Sequence, residues 1–383
     1  MIKTRERIIQ ISEPVTGKEE LDALSEPLET GWLTQGPKVK EFENKFARKH
    51  QSKYAFASTS CTTSLHLALS SIGLAPGDEV IVPAFTWVST ANVVVYCGAK
   101  PVFVDVKQDT YNLDTEKLKR NISNKTKAII PVHLFGLCSD IDEIRSILPR
   151  NVSIIEDAAC AVGAKYKKKM AGSLGEFGAF SFHSRKIITT GEGGMLTTNN
   201  QTLASKAEIL RNHGASVSEE NRHKGPRPYL LPDFEVLGFN YRMTDLQGAV
   251  GIAQLSKLDH FLNQRKKWAA WYLNAISDIP WVNLPFIPDH CEHSWQAFVV
   301  VINEEKSPLS RNEIMEKLLS AGISTRPGTH AVSNLGFYKK NYGTKKSDFP
   351  VSSMLEKCSL ALPLHNKMEE QDFKYISEIL HSI

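Results

Sequence analysis

The sequence predicts an α/β fold, a sheet joined by crossover helices, with a smaller α+β domain after it. Three observations carry this. Over the first two thirds of the 383 residues, short β-branched runs alternate with helical patterns. The strand candidates are apolar without interruption, as strands covered on both faces are. From Asp245 onward the alternation gives way to one long helical stripe and then to Pro-rich, mixed segments.

The elements follow in order. Residues 62–72 predict a helix, because Leu65, Ala68, Leu69 and Ile72 fall at i, i+3, i+4 and i+7 on one face. Residues 79–82 predict a strand stopped by Pro83, and 100–106, 128–132, 152–156 and 195–198 are further strands. Leu246, Ala249, Val250 and Ala253 form a stripe that runs on through Leu258 toward Tyr272, one helix long enough to bridge two domains. Pro280, Pro285 and Pro288 come next, then a strand at 298–302 and a helix at 312–320. This divides the chain into a large domain over 1–255 and a small C-terminal domain over 256–383.

Composition narrows the class. Hydrophobic residues make up 42% and charged residues 23%, an ordinary globular balance. The 46 Lys and Arg against 42 Asp and Glu leave a net charge of +4, which gives no reason to expect nucleic acid or an anionic membrane as partner. Six cysteines, at 61, 97, 138, 160, 291 and 358, show no Cys-x-x-Cys spacing. Neither a disulfide framework nor a metal site is expected, and a reducing cytoplasm is the natural location. The first seven residues lack an apolar signal region, and no stretch is long enough to span a bilayer.

The chemistry centres on Lys186, in Ser181-Phe182-His183-Ser184-Arg185-Lys186, followed by Gly191-Glu192-Gly193-Gly194. Upstream, Asp157 ends the apolar run Ser153-Ile154-Ile155-Glu156. An amine, an upstream acid and a hydroxyl, Ser181, suit pyridoxal phosphate. The amine can form an imine with the cofactor aldehyde, and the acid can keep the pyridine nitrogen protonated. Arg185 is excluded as imine former because its guanidinium stays protonated. Glu156 points to the opposite strand face from Asp157. As an alternative, Asp157 caps a helix beginning at Ala158.

Three segments complete the candidate site. Ser58-Thr59-Ser60-Cys61-Thr62-Thr63-Ser64 precedes a helix, where free N–H groups and the positive dipole end favour phosphate; a plain N-cap is the alternative. Trp87, just after a strand, can stack on a flat ring or belong to the core. Gly238-Phe239-Asn240-Tyr241-Arg242-Met243-Thr244-Asp245 forms a turn ahead of the long helix, with Thr244 or Asp245 as its cap.

Taken together, Glu156-Asp157-Ala158-Ala159, Ser181-Phe182-His183-x-x-Lys186 with its Gly-rich sequel, and Asn240-Tyr241-Arg242-Met243 resemble the DegT/DnrJ/EryC1/StrS family of pyridoxal-phosphate aminotransferases. The similarity runs from Gly31-Trp32-Leu33 to Leu362-Pro363-Leu364-His365. It implies the aspartate-aminotransferase type of fold, with a mainly parallel seven-stranded sheet, helices on both sides and a small C-terminal domain. It implies Lys186 as cofactor-bearing lysine and proton shuttle, and Asp157 as partner of the pyridine nitrogen. Thr62, Thr63 and Ser181 would hold the phosphate and Trp87 would stack on the ring, with Cys160 and His183 beside the cofactor. Asn240 would reach the phosphate of a neighbouring subunit in a homodimer.

The pattern departs from the family at three places. Cys61 replaces a usual Gly in the phosphate turn. Cys160 stands where Gln or His is common. Arg326-Pro327-Gly328-Thr329-His330-Ala331-Val332 replaces a Tyr-x-Pro-Leu-His stretch near the substrate. Relatives with His in place of the lysine are dehydratases, whereas this chain keeps Lys186. The implied activity moves an amino group from glutamate, released as 2-oxoglutarate, through pyridoxamine phosphate to a nucleotide-linked keto sugar. Arg242, Arg326 and His330 are candidates for binding anionic substrate groups. A non-nucleotide ketone such as a cyclitol, or a pyridoxal-phosphate-binding regulator without turnover, are the alternatives.

Overall fold

The structure is a computed structural model that describes residues 8–215, 229, 231 and 233–383. Residues 1–7, where the sequence shows no signal region, lie outside the described residues. Seven strands form the central sheet: β1 (Tyr54–Ser58), β2 (Glu79–Pro83), β3 (Lys100–Val104), β4 (Thr126–Ile129), β5 (Ser153–Asp157), β6 (Phe177–Ser181) and β7 (Gly194–Thr198). Their spatial order is β1-β7-β6-β5-β4-β2-β3. From β6 to β3 every pair is parallel, and β7 runs antiparallel to both of its neighbours. The architecture is the α/β one read from the sequence.

Alternation along each strand sends neighbouring residues to opposite faces. Ala55, Ala57, Phe180 and Phe182 join one core with Phe42 and Phe46. Phe56, Phe177, Ala179 and Leu196 join another with Leu65, Ala68 and Leu69. The helices on these faces include α1 (Lys18–Thr30), α2 (Pro37–Lys49), α3 (Cys61–Ser71) and α4 (Ser89–Tyr96). Helix α3 is buried on nearly all sides, at Cys61, Ser64, Leu65, His66, Leu67, Ala68, Leu69 and Ser71, because it lies between the sheet and α4.

The single helix expected from Asp245 toward Tyr272 is two helices, α5 (Asp245–Ser256) and α6 (Leu258–Ala275). They meet at Lys257, whose N–H bonds the carbonyls of Gln254 and Leu255 and so tightens the last turn out of the i→i−4 ladder. The Lys257 ammonium is paired with Glu20 of α1, which anchors the corner. Thr244 caps α5 in a reciprocal pair with Gln247. Asp245 instead caps a different helix: its carboxylate accepts from the N–H groups of Gly36, Lys38 and Val39, at 2.8, 3.0 and 2.9 Å, at the start of α2.

A second, antiparallel sheet has the order β8-β9-β10, formed by β8 (Val282–Asn283), β9 (Phe298–Ile302) and β10 (Ser359–Leu362). Its core gathers Tyr272, Phe298, Val300, Ile314, Leu360 and Phe373, with Ile9 from the other end of the chain. A further cluster joins Phe85, Val132 and Phe135 to Val299, Leu355 and Ala361. The two-residue ladder of Phe85–Thr86 with His330–Ala331 ties the same two regions by backbone hydrogen bonding.

Candidate active site

The C-terminal ends of β1, β5 and β6 converge on a cavity of about 780 Å³, the edge at which open α/β sheets bind ligands. Asp157 is the last residue of β5 and is buried. One carboxylate oxygen accepts from Thr90 Oγ1 at 2.8 Å, and the other from the N–H of Ala159 at 3.1 Å. No helix begins at Ala158, so capping is not its role. Burial pushes its pKa up, against the pull of Thr90, Ala159, Lys186 and His133. A buried carboxylate in that condition favours a cation beside it.

Glu156 faces the other way, as strand geometry requires. It is fully buried and accepts from Gly172, Leu174 and Gly175 N–H groups, each at 2.7 Å, and sits 2.8 Å from His133 Nε2. The N–H of Ser139 donates to His133 Nδ1, so Nε2 carries the proton toward Glu156. The pair lies directly behind Asp157, whose backbone carbonyl accepts from the N–H of His133 at 3.0 Å.

Lys186 stands in the turn after β6, its N–H bonded to the carbonyl of His183. Its Nζ lies 3.2 Å from Cys160 Sγ. Burial disfavours the ammonium, but Cys160, Cys61 and Asp157 around it outweigh that and raise its pKa. His183 Nδ1 accepts from the Arg185 N–H, and its Nε2 is 3.7 Å from Glu192. Burial lowers the His183 pKa even so.

The candidate anion site is the start of α3. Ser60 caps the helix, and the hydroxyl of Thr63 is engaged by Ser60 on both its N–H and its carbonyl. The first amides of a helix have no partner within it, and Cys61 and Thr62, which open α3, line the cavity. Gly194 makes this possible. A Cβ there would lie 2.3 Å from the Ser60 carbonyl and 2.6 Å from the Cys61 nitrogen. Cys61 itself has no left-handed φ and takes the first helical position, so the side chain in place of the family's Gly is accommodated. Its sulfur is 3.9 Å from Asp157. A buried carboxylate, a reachable amine and a helix N-terminus at one cavity fit a phosphorylated pyridine aldehyde.

Of the residues singled out in the sequence, Thr62, Trp87, Asp157, Cys160, Ser181, His183, Lys186, Arg326 and His330 line the cavity. Trp87 is 59% exposed and tilts over His330 with centroids 5.6 Å apart. Thr63, Asn240 and Arg242 do not line it. Asn240 is exposed and bridges Asn212, and Arg242 donates to Asn212 at 2.6 Å. The divergent loop runs along the cavity wall: Thr329 donates to the Thr86 carbonyl, and Gly328 sits where a Cβ would be 2.7 Å from Ser359 Oγ. Sequence inspection missed Ser12, Gln296, Arg311 and Glu356, which also line the cavity. They come from four distant segments and carry no local motif. Thr90 was within reach of sequence reasoning, four residues after the buried Thr86 on the loop that follows β2.

The profile of the DegT/DnrJ/EryC1/StrS aminotransferase family matches residues 14–381. Among curated proteins, the spore coat polysaccharide biosynthesis protein SpsC of Bacillus subtilis is 38% identical over 385 aligned positions, spanning 100% of this chain and 99% of its own. Among solved structures, Spr1654 of Streptococcus pneumoniae in its PMP form superimposes with a TM-score of 0.91 at 29% identity, covering 98% of both chains. DesV of S. venezuelae, solved in complex with a ketimine intermediate, superimposes with a TM-score of 0.86 at 29% identity, covering 95% of this chain and 94% of its own.

Proposed function

Because this chain belongs to the DegT/DnrJ/EryC1/StrS aminotransferase family, we propose that it moves an amino group from glutamate to a nucleotide-linked keto-deoxysugar, in amino-sugar synthesis for a surface polysaccharide or a glycosylated metabolite. It is a pyridoxal-phosphate-dependent aminotransferase. When bound, the cofactor supplies an electron sink for negative charge at the donor's α-carbon. The chain's own residues do the rest. Asp157 holds the pyridine nitrogen protonated, and the Cys61 and Thr62 amides with Ser181 bind the phosphate. Trp87 covers one face of the ring. Lys186 Nζ would anchor the cofactor and, once freed, would be the base that takes the proton from the donor's α-carbon and the acid that returns a proton in the product-forming direction. Its cavity position, with neighbours that favour a positive charge, suits an amine that cycles between base and acid.

The observation that carries this reading is that Asp157, Lys186 and the first residues of α3 line one cavity of about 780 Å³, within the range of pockets that bury ligands larger than a keto acid. Arg326, His330 and Arg311, which line the same cavity, would receive a diphosphate or a donor carboxylate. Asn240 would serve a partner's site in a homodimer, a reading its position outside this cavity's lining supports, and Arg242, also outside the lining, is not a substrate ligand of this cavity. Free thiols at all six cysteines suit a cytoplasmic enzyme. Among the described residues no helix is long and apolar enough to cross a membrane.

The test is a screen of keto-sugar nucleotides with glutamate, read by product mass and 2-oxoglutarate release. At least one should gain an amino group, and Lys186→Ala should abolish turnover. Full turnover in that variant, or amination of free ketones only, would overturn the reading.

A further inference from the structure

Cys160 is the residue the proposed reaction leaves without a task, yet its sulfur is 3.2 Å from Lys186 Nζ. Both side chains are partly exposed and line the same cavity, so a molecule the size of peroxide reaches them. Among the described residues, the other hydrogen bond of Cys160 is through its backbone, its carbonyl accepting from Ser294 Oγ at 3.2 Å. The thiol therefore has a cation in contact and an open approach, the environment in which cysteines become nucleophilic.

We propose that Cys160 and Lys186 form an oxidative modification site, in which peroxide joins the cysteine sulfur to the lysine nitrogen and switches the enzyme off. The Cys160 thiolate attacks hydrogen peroxide, the O–O bond breaks, and sulfenic acid and hydroxide result. Hydroxide takes a proton from the Lys186 ammonium and becomes water. The free amine then displaces hydroxide from the sulfur, losing its own proton to it, so an S–N bond forms as the S–O bond breaks. In sum, thiolate, ammonium and one peroxide give the S–N link and two waters. Sulfur loses two electrons and peroxide gains them. A thiol reverses the link by attacking the sulfur and releasing the amine, and a second thiol frees Cys160.

The link needs the Lys186 amine free, so a lysine engaged by the cofactor is protected. The consequence is selective. Oxidant silences the chain while its cofactor is absent or in the amino form, and a reducing compartment restores it. The inference stands on the contact itself and does not depend on which sugar is aminated.

The experiment treats the purified protein with hydrogen peroxide, with and without saturating pyridoxal phosphate, and digests it for mass spectrometry. A peptide joining Cys160 to Lys186, two hydrogens lighter than its two parts, is expected without added cofactor. It should decline severalfold with cofactor and vanish after dithiothreitol. Cys61→Ser should still form it, and Cys160→Ser should not and should lose no activity to peroxide relative to its own untreated sample. A disulfide between Cys61 and Cys160, or Cys160 oxidised with Lys186 unmodified, would overturn the proposal. Failure of the sugar screen would leave the mass readout unaffected, so the two readings fail separately.

Discussion

Burial raises the Asp157 pKa, outweighing the pull of Thr90, Ala159, Lys186 and His133. For a carboxyl group raised on folding, the native state binds more protons than the unfolded chain between the two pKa values. Stability is therefore lost as pH rises through that interval and stays lost at neutral pH. Asp157→Asn keeps an oxygen for the Thr90 hydroxyl and removes the charge. At pH 7 the cofactor-free variant should melt above the parent, while kcat falls by roughly a hundredfold or more, as when one electrostatic contact to the reacting centre is removed. Calorimetry and a transamination assay check both, and a variant that is less stable and fully active would refute the role. Asp157 was legible in the sequence because it ends an apolar run, and Lys186 because it lies between Ser181 and Gly191-Glu192-Gly193-Gly194. Arg311 was not, since its place at the cavity depends on how the segment before β10 folds back, with Nη1 bonded to the Ser359 carbonyl at 2.9 Å.

At the level of elements, the anion turn depends on β7 pressing its backbone against the start of α3. Gly194→Ala would put a methyl carbon into the Ser60 carbonyl and the Cys61 nitrogen. Either the turn or the strand must give way. Cofactor affinity should fall by about tenfold or more, equivalent to some 1.4 kcal/mol, while the far-ultraviolet spectrum stays unchanged. Absorbance titration with pyridoxal phosphate measures it, and unaltered affinity would refute the cradle. The run Gly191-Glu192-Gly193-Gly194 predicted a tight turn, not which glycine takes the close approach. The break between α5 and α6 was equally hidden. The apolar stripe continues through it, and only the packing of Lys257 on Glu20 reveals the corner.

Three imidazoles with lowered pKa values weaken the fold toward acid. Burial pushes the pKa of His50 and His365 down to about 4 and that of His293 to about 3. His50 stacks on Phe46 at 4.3 Å and is fully buried. A histidine depressed on folding contributes stability that is present above its unfolded pKa, near 6.5. That stability is lost as pH falls toward the folded value, because the unfolded chain binds the proton first. His50 alone implies a loss on the order of 3 kcal/mol across that window. The urea midpoint should drop steeply between pH 6.5 and pH 4, and His50→Phe should flatten the drop. A midpoint unchanged to pH 4 would show that these rings are protonated in the folded state. The overall α/β plan was legible because β2 to β5 are buried on both faces and read as apolar runs. The joining of the two cores through Phe85, Phe135 and Val299 was not, because no local pattern marks a side chain that packs across 150 residues or more of chain.

The Asp245 cap on α2 also orders events in time. The amides of Gly36 and Val39 find their acceptor in a residue up to 209 positions later. At about 5–20 residues per second, the ribosome takes roughly 10–40 s to deliver it. Through that interval the amphipathic helix carrying Phe42 and Phe46 waits with its first turn uncapped. Strand β1, which has β7 as its neighbour in the sheet, waits for residues 194–198 as well. The nascent chain thus spends much of its synthesis with an open edge and an apolar face, a span in which a holding chaperone has something to hold.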